Sequence, residues 1–424
     1  MKKNFKVAYV GLTHLGLNYL AASSEKGFEI VGVDINQNKI DKLNQFKVDY
    51  NEPNLQRVIL KNKKNIIFSS NLKNIKNCQV VFISQDVSTD KKGKGDFSSL
   101  KKLIKNTSKF LNKKAIMVIL SQVQPGFTRM VNFDHNRLYY QVETLIFGNA
   151  LERALKPERF IIGCNSSESK INSLLLRYLY KFKCPIIKMN YESAELAKIS
   201  INLLLSSSIN VSNILAEVCE KINANWNKIV PALQSDKRIG KHAYLRAGLG
   251  ISGGNLERDI SSIIKISKKY RIQSKFFQSI LSYSKKRKNW VWEKLVELGI
   301  KKKNNLRIAI LGLTYKENTD SIKNSPAVEL INKLIKKHHV ITYDPAAQSN
   351  IKSKNFKRTS SPMKAINKAD IVILMTPWSE FKFINVRKLA ALMRGKIIID
   401  PFNILNYKKV LNSRKSHYSL GRSN

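Results

Sequence analysis

Short apolar runs separated by amphipathic stretches set the rhythm of the first part of this chain. Lys6-Val-Ala-Tyr-Val10 predicts a buried strand, followed by a glycine-containing turn and a helix to about Lys26. Glu29 to Asp34 predicts a second strand, and Val80–Ser84 and Ala115–Leu120 two more. Strands spaced by helix-length segments predict βαβ units and a parallel sheet. The period changes at Ser193. Leu196, Ile199, Leu203 and Leu204 recur at helical steps, so one long amphipathic helix is expected to about Ile222, with further helices to about Leu298. The polar run Lys301–Asn305 reads as a linker. After it the alternation restarts. Leu306–Leu311, His339–Tyr343, Ile371–Met375 and Lys396–Asp400 are expected strands, and Pro326–Lys337 a helix with proline near its start. The expected fold class is α/β: a parallel-sheet domain over 1–190, central helices over 191–300, and a second parallel-sheet domain over 301–424.

Composition narrows the class. The chain has 424 residues and is 43% hydrophobic, enough for packed cores. Its densest apolar runs are strand-length, so no segment is expected to cross a bilayer, and Met1-Lys-Lys-Asn-Phe5 leads directly into a strand without a signal-peptide core. A cytoplasmic protein with no membrane partner is expected. Cys78, Cys164, Cys184 and Cys219 are scattered without CxxC spacing, and the histidines form no helical ligand pair, so neither a disulfide framework nor a metal site is expected. The net charge is +45. The lysines recur along the whole chain, with no RNP aromatics, basic helix or zinc finger. The charge therefore speaks to solvation and non-specific attraction, and no specific nucleic-acid partner is expected.

Gly11-Leu-Thr-His-Leu-Gly16 follows the first strand and opens a helix. In a dinucleotide fold the first glycine makes the tight turn, the second lets backbone approach the pyrophosphate, and the third packs helix on strand. Here Gly11 and Gly16 hold the outer positions and Thr13 the middle one, where a β-branched side chain narrows the approach but brings a hydroxyl donor. Asp34, 23 residues after Gly11, suits an acid accepting from the adenosine ribose and favours NAD over NADP. Both sheet domains are thus expected to be Rossmann-like, the first holding NAD.

Gly248-Leu-Gly-Ile-Ser-Gly-Gly-Asn-Leu-Glu-Arg-Asp259 packs four glycines into seven residues, which describes a loop crossing close to a ligand. This loop resembles that of the UDP-glucose/GDP-mannose dehydrogenase family, where a catalytic cysteine precedes a Lys-Asp pair. The resemblance extends over nearly the whole chain. It includes Gly32-Val-Asp-Ile-Asn36, Asn51-Glu-Pro-Asn-Leu55, Ser121–Gly126, Pro157–Gly163, Ser193–Lys198, Asp236–Gly240, Gly312–Asp320, Tyr343–Ala347, Thr376–Phe381 and Tyr418–Arg422. The resemblance implies an NAD domain, central helices that form a homodimer, a C-terminal domain that helps hold a UDP-sugar, and oxidation of the sugar C6 hydroxyl to an acid through an aldehyde.

The resemblance also assigns residues. Lys198 and Asn202, four apart on one helix face, would stabilise an alkoxide as hydride leaves. Asp259 would orient a water and take up a proton. Glu143 would accept from sugar hydroxyls, Arg238 would bind pyrophosphate across the dimer, Lys316 would contact substrate, and Gly250 and Gly253 would let the loop approach it. Several positions depart from the family pattern. Asn255 stands where the cysteine belongs, Phe147 replaces a second glutamate, Ile146 an arginine, Gln122 a threonine, and Phe402 an arginine. A carboxamide is no nucleophile, so the groups serving the alcohol persist while those that make and hydrolyse a thioester are missing. Two readings remain: an oxidoreductase limited to alcohol-to-aldehyde chemistry, and a catalytically silent relative that binds nucleotide sugar or NAD.

Overall fold

The computed structural model describes residues 5–89, 95–348 and 351–423. The chain divides into two compact units, Met1–Ile201 and Asn202–Asn424.

The first unit is built on an eight-stranded sheet. Lys6–Val10, Glu29–Val33 and Ile66–Ser69 lie side by side, and on the other flank of Lys6–Val10 come Val80–Ile83, Ile116–Ile119 and Leu138–Gln141. Numbered within the sheet, this is the order 3-2-1-4-5-6, the doubly wound dinucleotide-binding arrangement. Every residue of Val80–Ile83 and Ile116–Ile119 is buried, as expected when helices cover both faces. The expectation of a parallel sheet needs one correction. Phe160–Cys164 joins Leu138–Gln141 antiparallel, and Ile186–Asn190 continues beyond it. Both strands fall in stretches from which no strand was expected, because Pro157 and Pro185 punctuate their apolar runs.

The second unit carries a six-stranded, all-parallel sheet. Its strands Arg307–Leu311, His339–Tyr343, Phe356–Arg358, Ile371–Leu374, Ile397–Ile399 and Ser416–Tyr418 again run 3-2-1-4-5-6. The unit also contains the helices Trp226–Ser235, Asn255–Lys269, Lys275–Lys288 and Trp290–Glu297. A helix over Tyr191–Lys221 runs through the division between the units. It corrects the expectation that no segment has the length and apolarity to cross a bilayer, since its best 18-residue window has a mean hydropathy of 1.4. Periodicity hid this, because Asn202, Ser206, Asn210 and Asn213 interrupt the apolar run at helical spacing. All four are buried in the fold.

Candidate active site

In the first unit, the turn after Lys6–Val10 is shaped by its glycines. Gly11 has φ +91°, and a Cβ there would meet the Gln85 backbone at 2.8 Å. A Cβ on Gly16 would collide with the Gly11 carbonyl and come within 2.6 Å of the Ser84 hydroxyl. The helix His14–Glu25 begins at Thr13, whose side chain makes no capping bond, so the first N–H groups stay open to an anion. The Thr13 hydroxyl donates to the Ser84 carbonyl at 2.9 Å, so the donor expected to serve a phosphate is spent on the neighbouring strand end. Asp34 is anchored by the N–H groups of Leu12 (2.9 Å) and Asn36 (3.0 Å), and Lys39 pairs with it at 2.8 Å. These features fit NAD: glycines where backbone must approach, an open helix start and an acid at the end of the second strand.

The second unit repeats the construction. Gly312-Leu-Thr314 follows its first strand as Gly11-Leu-Thr13 follows the other, and Asp344 receives the N–H of Leu313 at 2.6 Å as Asp34 receives that of Leu12. Here, however, the carboxylate is closed off. Thr314, Ala346 and Ala347 also donate backbone N–H groups to it, the Trp378 indole adds another at 3.2 Å, and Asp344 is fully buried. An acid saturated by the protein cannot serve a ribose, which distinguishes the two turns despite their matching sequence.

Glu52 organises the segment around Gly148 and Ala150 in the first unit. Buried, it accepts from the His14 imidazole at 2.8 Å and from the N–H groups of Gly148 (3.0 Å) and Ala150 (2.8 Å). Burial pushes its carboxyl up, but these bonds outweigh it and hold the group below the usual glutamate range. Phe147 stacks on His14, with ring centroids 4.2 Å apart. Phe147 is therefore half of a packed aromatic pair. Glu143, expected to face sugar hydroxyls, is engaged by Lys198, whose ammonium lies 2.6 Å away with both side chains nearly buried. Three residues earlier, the buried carboxylate of Glu195 takes the N–H groups of Gly126 (2.6 Å) and Thr128 (2.8 Å), fixing the turn that contains Gln122 to the start of the helix. Burial raises the Glu195 carboxyl despite those bonds.

In the second unit, Asp259 is buried and accepts from Asn202 Nδ2 at 2.5 Å, with Arg258 Nε 3.4 Å from its other oxygen. The loop reading is corrected in one detail: the helix Asn255–Lys269 starts at Asn255, so Asp259 sits one turn inside it rather than closing a loop. Asn255 is the first helical residue and is exposed. The glycines before it are braced from several sides. Gly248 N–H donates to Asn213 at 2.7 Å, and Ile251 N–H to the Ser284 hydroxyl at 2.7 Å. A Cβ on Gly250 (φ +74°) would meet the Ser284 carbonyl oxygen at 2.5 Å, and one on Gly253 would meet the Tyr315 ring at 2.9 Å. Asn324 bridges the Gly253 carbonyl and Glu257. Lys316 lies 5.9 Å from the ring of neighbouring Tyr315, close to this loop. Arg238 is exposed and pairs with Asp236 at 2.6 Å, away from any buried group. Among the described residues no cluster of His, Cys, Asp or Glu could hold a metal ion.

Sequence reasoning missed Lys39, Glu52, His14, Glu195 and Asn213. Glu52 lay in a quoted motif without a role. Lys39 pairs with Asp34 within one short turn, while His14, Glu195 and Asn213 hold partners 38, 69 and 35 residues away, so only contacts between distant segments give these three a purpose.

Known families, relatives and solved structures match the chain through nearly its whole length. Residues 5–182 match the NAD-binding domain of the UDP-glucose/GDP-mannose dehydrogenase family, 192–285 its central domain and 309–407 its UDP-binding domain. The UDP-glucose 6-dehydrogenase of Rickettsia bellii is 30% identical over 98% of this chain and 99% of its own length. TuaD of Bacillus subtilis, a UDP-glucose 6-dehydrogenase, is 27% identical over 98% of this chain and 93% of its own. Among solved structures, a UDP-glucose dehydrogenase from Pyrobaculum islandicum superposes with TM-score 0.86 at 22% identity, covering 99% of this chain and 98% of that one. A UDP-D-ManNAc dehydrogenase from Pyrococcus horikoshii gives 0.83 at 22% identity, covering 99% of each. The fold and the site define a nucleotide-sugar dehydrogenase of two Rossmann-like domains and central helices. The chain belongs to the UDP-glucose/GDP-mannose dehydrogenase family, and its cofactor is NAD.

Proposed function

We propose that this protein oxidises the C6 hydroxyl of a UDP-hexose, UDP-glucose or a UDP-N-acetylhexosamine, and stops at the aldehyde. The observation that carries this reading is the buried Asn202–Asp259 bond one turn after an exposed Asn255. NAD supplies the hydride acceptor. Lys198 and Asn202 stand one helical turn apart and stabilise developing negative charge on the substrate oxygen. Asp259 accepts the proton through a water that it orients. Oxidising an aldehyde needs a tetrahedral adduct first. In the family a thiolate makes it, and an amide nitrogen has no free lone pair for the attack. The first oxidation keeps its groups while the second loses its nucleophile, and Phe147 and Gln122 stand where the water-holding groups would be.

The deciding measurement is stoichiometry. Moles of NADH per mole of UDP-sugar consumed, with the product identified by mass and aldehyde trapped by a hydrazide, should come to one. A value of two with a uronic acid product sinks the proposal. UDP-sugar binding without NADH formation selects the second reading, a silent relative, which the four departures Thr13, Phe147, Gln122 and Asn255 favour.

We also propose a homodimer through the central helices. On Tyr191–Lys221, Leu204 (70% exposed), Val211, Leu215 and Val218 recur at seven-, four- and three-residue steps as an exposed apolar stripe, which Ile222 (66%) extends just past the helix end. Such a stripe on a long helix calls for a partner helix. Sedimentation velocity that returns only the monomer mass of 48.5 kDa would refute it.

A further inference from the structure

Residues 260–292 contain no aspartate or glutamate but nine lysines and arginines. They form most of the helix Asn255–Lys269, the helix Lys275–Lys288 and the turn between them. At the far end of the second helix the cations are used internally. Lys286 and Arg287 pair with Glu217 and Glu220, and Lys288 pairs with Glu257. At the turn, none of Lys268, Lys269, Arg271 and Lys275 has an ion-pair partner among the described residues.

The turn itself is built outward. Ile272 N–H reaches back to the Ser267 carbonyl at 2.8 Å and Arg271 N–H to that of Lys268, a Schellman-type helix end. The left-handed position, which favours glycine, is taken by Arg271 at φ +57°. The residue after it normally packs back on the helix. Here Ile272 is 61% exposed, flanked by Tyr270 at 63% and Phe276 at 59%. The Lys269 ammonium lies 5.2 Å from the Tyr270 ring. Local rules would place a glycine and an inward apolar contact here, and this chain presents a cation and three large apolar side chains to solvent.

We propose that this turn docks on an anionic lipid bilayer. Cations alone fit any polyanion. Ile272 narrows the choice, because aliphatic surface gains nothing against a phosphate backbone, whereas Ile272 and Phe276 are together stabilised at the headgroup–acyl boundary, where tyrosine also sits. Lysine and arginine stems can lie along that boundary with their heads at lipid phosphates. Each such cation is worth about fivefold in partitioning onto an anionic leaflet. This is attachment to a surface, distinct from a segment that spans the bilayer.

The test is co-sedimentation of the full chain with vesicles of phosphatidylcholine mixed with phosphatidylglycerol, against pure phosphatidylcholine vesicles. Binding to the mixed vesicles alone is expected. The double variant Ile272→Ser/Phe276→Ser keeps every charge, so it separates docking at this turn from the general attraction of a chain at +45. It should weaken binding at least about tenfold, since two buried apolar side chains leave the boundary, while thermal unfolding and sedimentation velocity stay unchanged. No pelleting with mixed vesicles, or equal pelleting of the double variant, overturns the proposal. So does a change in the variant's oligomeric mass, which would mean that a second copy covers the turn, or displacement from the vesicles by duplex DNA with equal effect on both proteins.

Discussion

Asn202 Nδ2 donates to Asp259 Oδ2 across 2.5 Å, joining a helix that begins at Tyr191 to one that begins at Asn255. The bond sets an amide donor and a carboxylate acceptor side by side, the pair that the proposed removal of hydride and proton from an alcohol would use. Asn202→Ala should lower kcat on the order of 10²–10³-fold, the usual cost of one donor aimed at developing negative charge. Lys198→Met should have an effect of the same order. Steady-state kinetics with KM less changed than kcat would support the assignment, and unchanged kcat in both variants would remove these residues from the chemistry.

Asn255→Cys should restore the missing nucleophile. The position is the exposed first residue of a helix, where the open N–H groups and dipole lower a thiol pKa and favour thiolate. NADH released per UDP-sugar should move from about one toward about two as covalent chemistry returns, with uronate appearing by mass. Adding Phe147→Glu and Gln122→Thr should accelerate that second step further. The single variant leaving the stoichiometry at one would place the block elsewhere, in the stacked His14–Phe147 pair or in the Gln122 turn.

Stability should depend on pH through Glu52. Its folded pKa lies below the ordinary glutamate value of 4.5, so it stabilises the fold above that value and the contribution is lost as pH falls through the folded pKa. At neutral pH Glu52→Gln should cost about 1–3 kcal/mol, because a charged acceptor of three donors is replaced. Denaturant titrations of both proteins at several pH values should show that gap closing on acidification. A gap independent of pH would mean that the carboxylate charge contributes nothing.

Gly250→Ala should weaken substrate binding without abolishing folding. A left-handed φ and a Cβ within 2.5 Å of the Ser284 carbonyl force the loop to shift, at a cost of about 1–3 kcal/mol. A loss of about 1.4 kcal/mol at the ligand is a tenfold rise in Kd. Calorimetry with UDP and with the UDP-sugar should show that rise, while NAD binding is unaffected. Unchanged UDP-sugar affinity would argue against this loop as the sugar's seat.

The chain's local chemistry determined much of this. Alternating apolar runs and helix-length spacers fixed the two α/β domains, because a strand buried on both faces and an amphipathic crossover leave a readable period. The loop of four glycines and the turn joining Gly11 to Asp34 were legible as places of close backbone approach, because positive φ and the lack of room for a Cβ admit few residue types. Tertiary structure decided the rest. Asp34 and Asp344 follow the same Gly-Leu-Thr turn, yet the N–H groups of Ala346 and Ala347 after Asp344, and the Trp378 indole from 34 residues away, close only the second. Glu52, Glu195 and Asn213 hold loops 96, 69 and 35 residues away in sequence. A hydrogen bond across such a separation leaves no period and no motif, because its partner is chosen by the packing of whole elements.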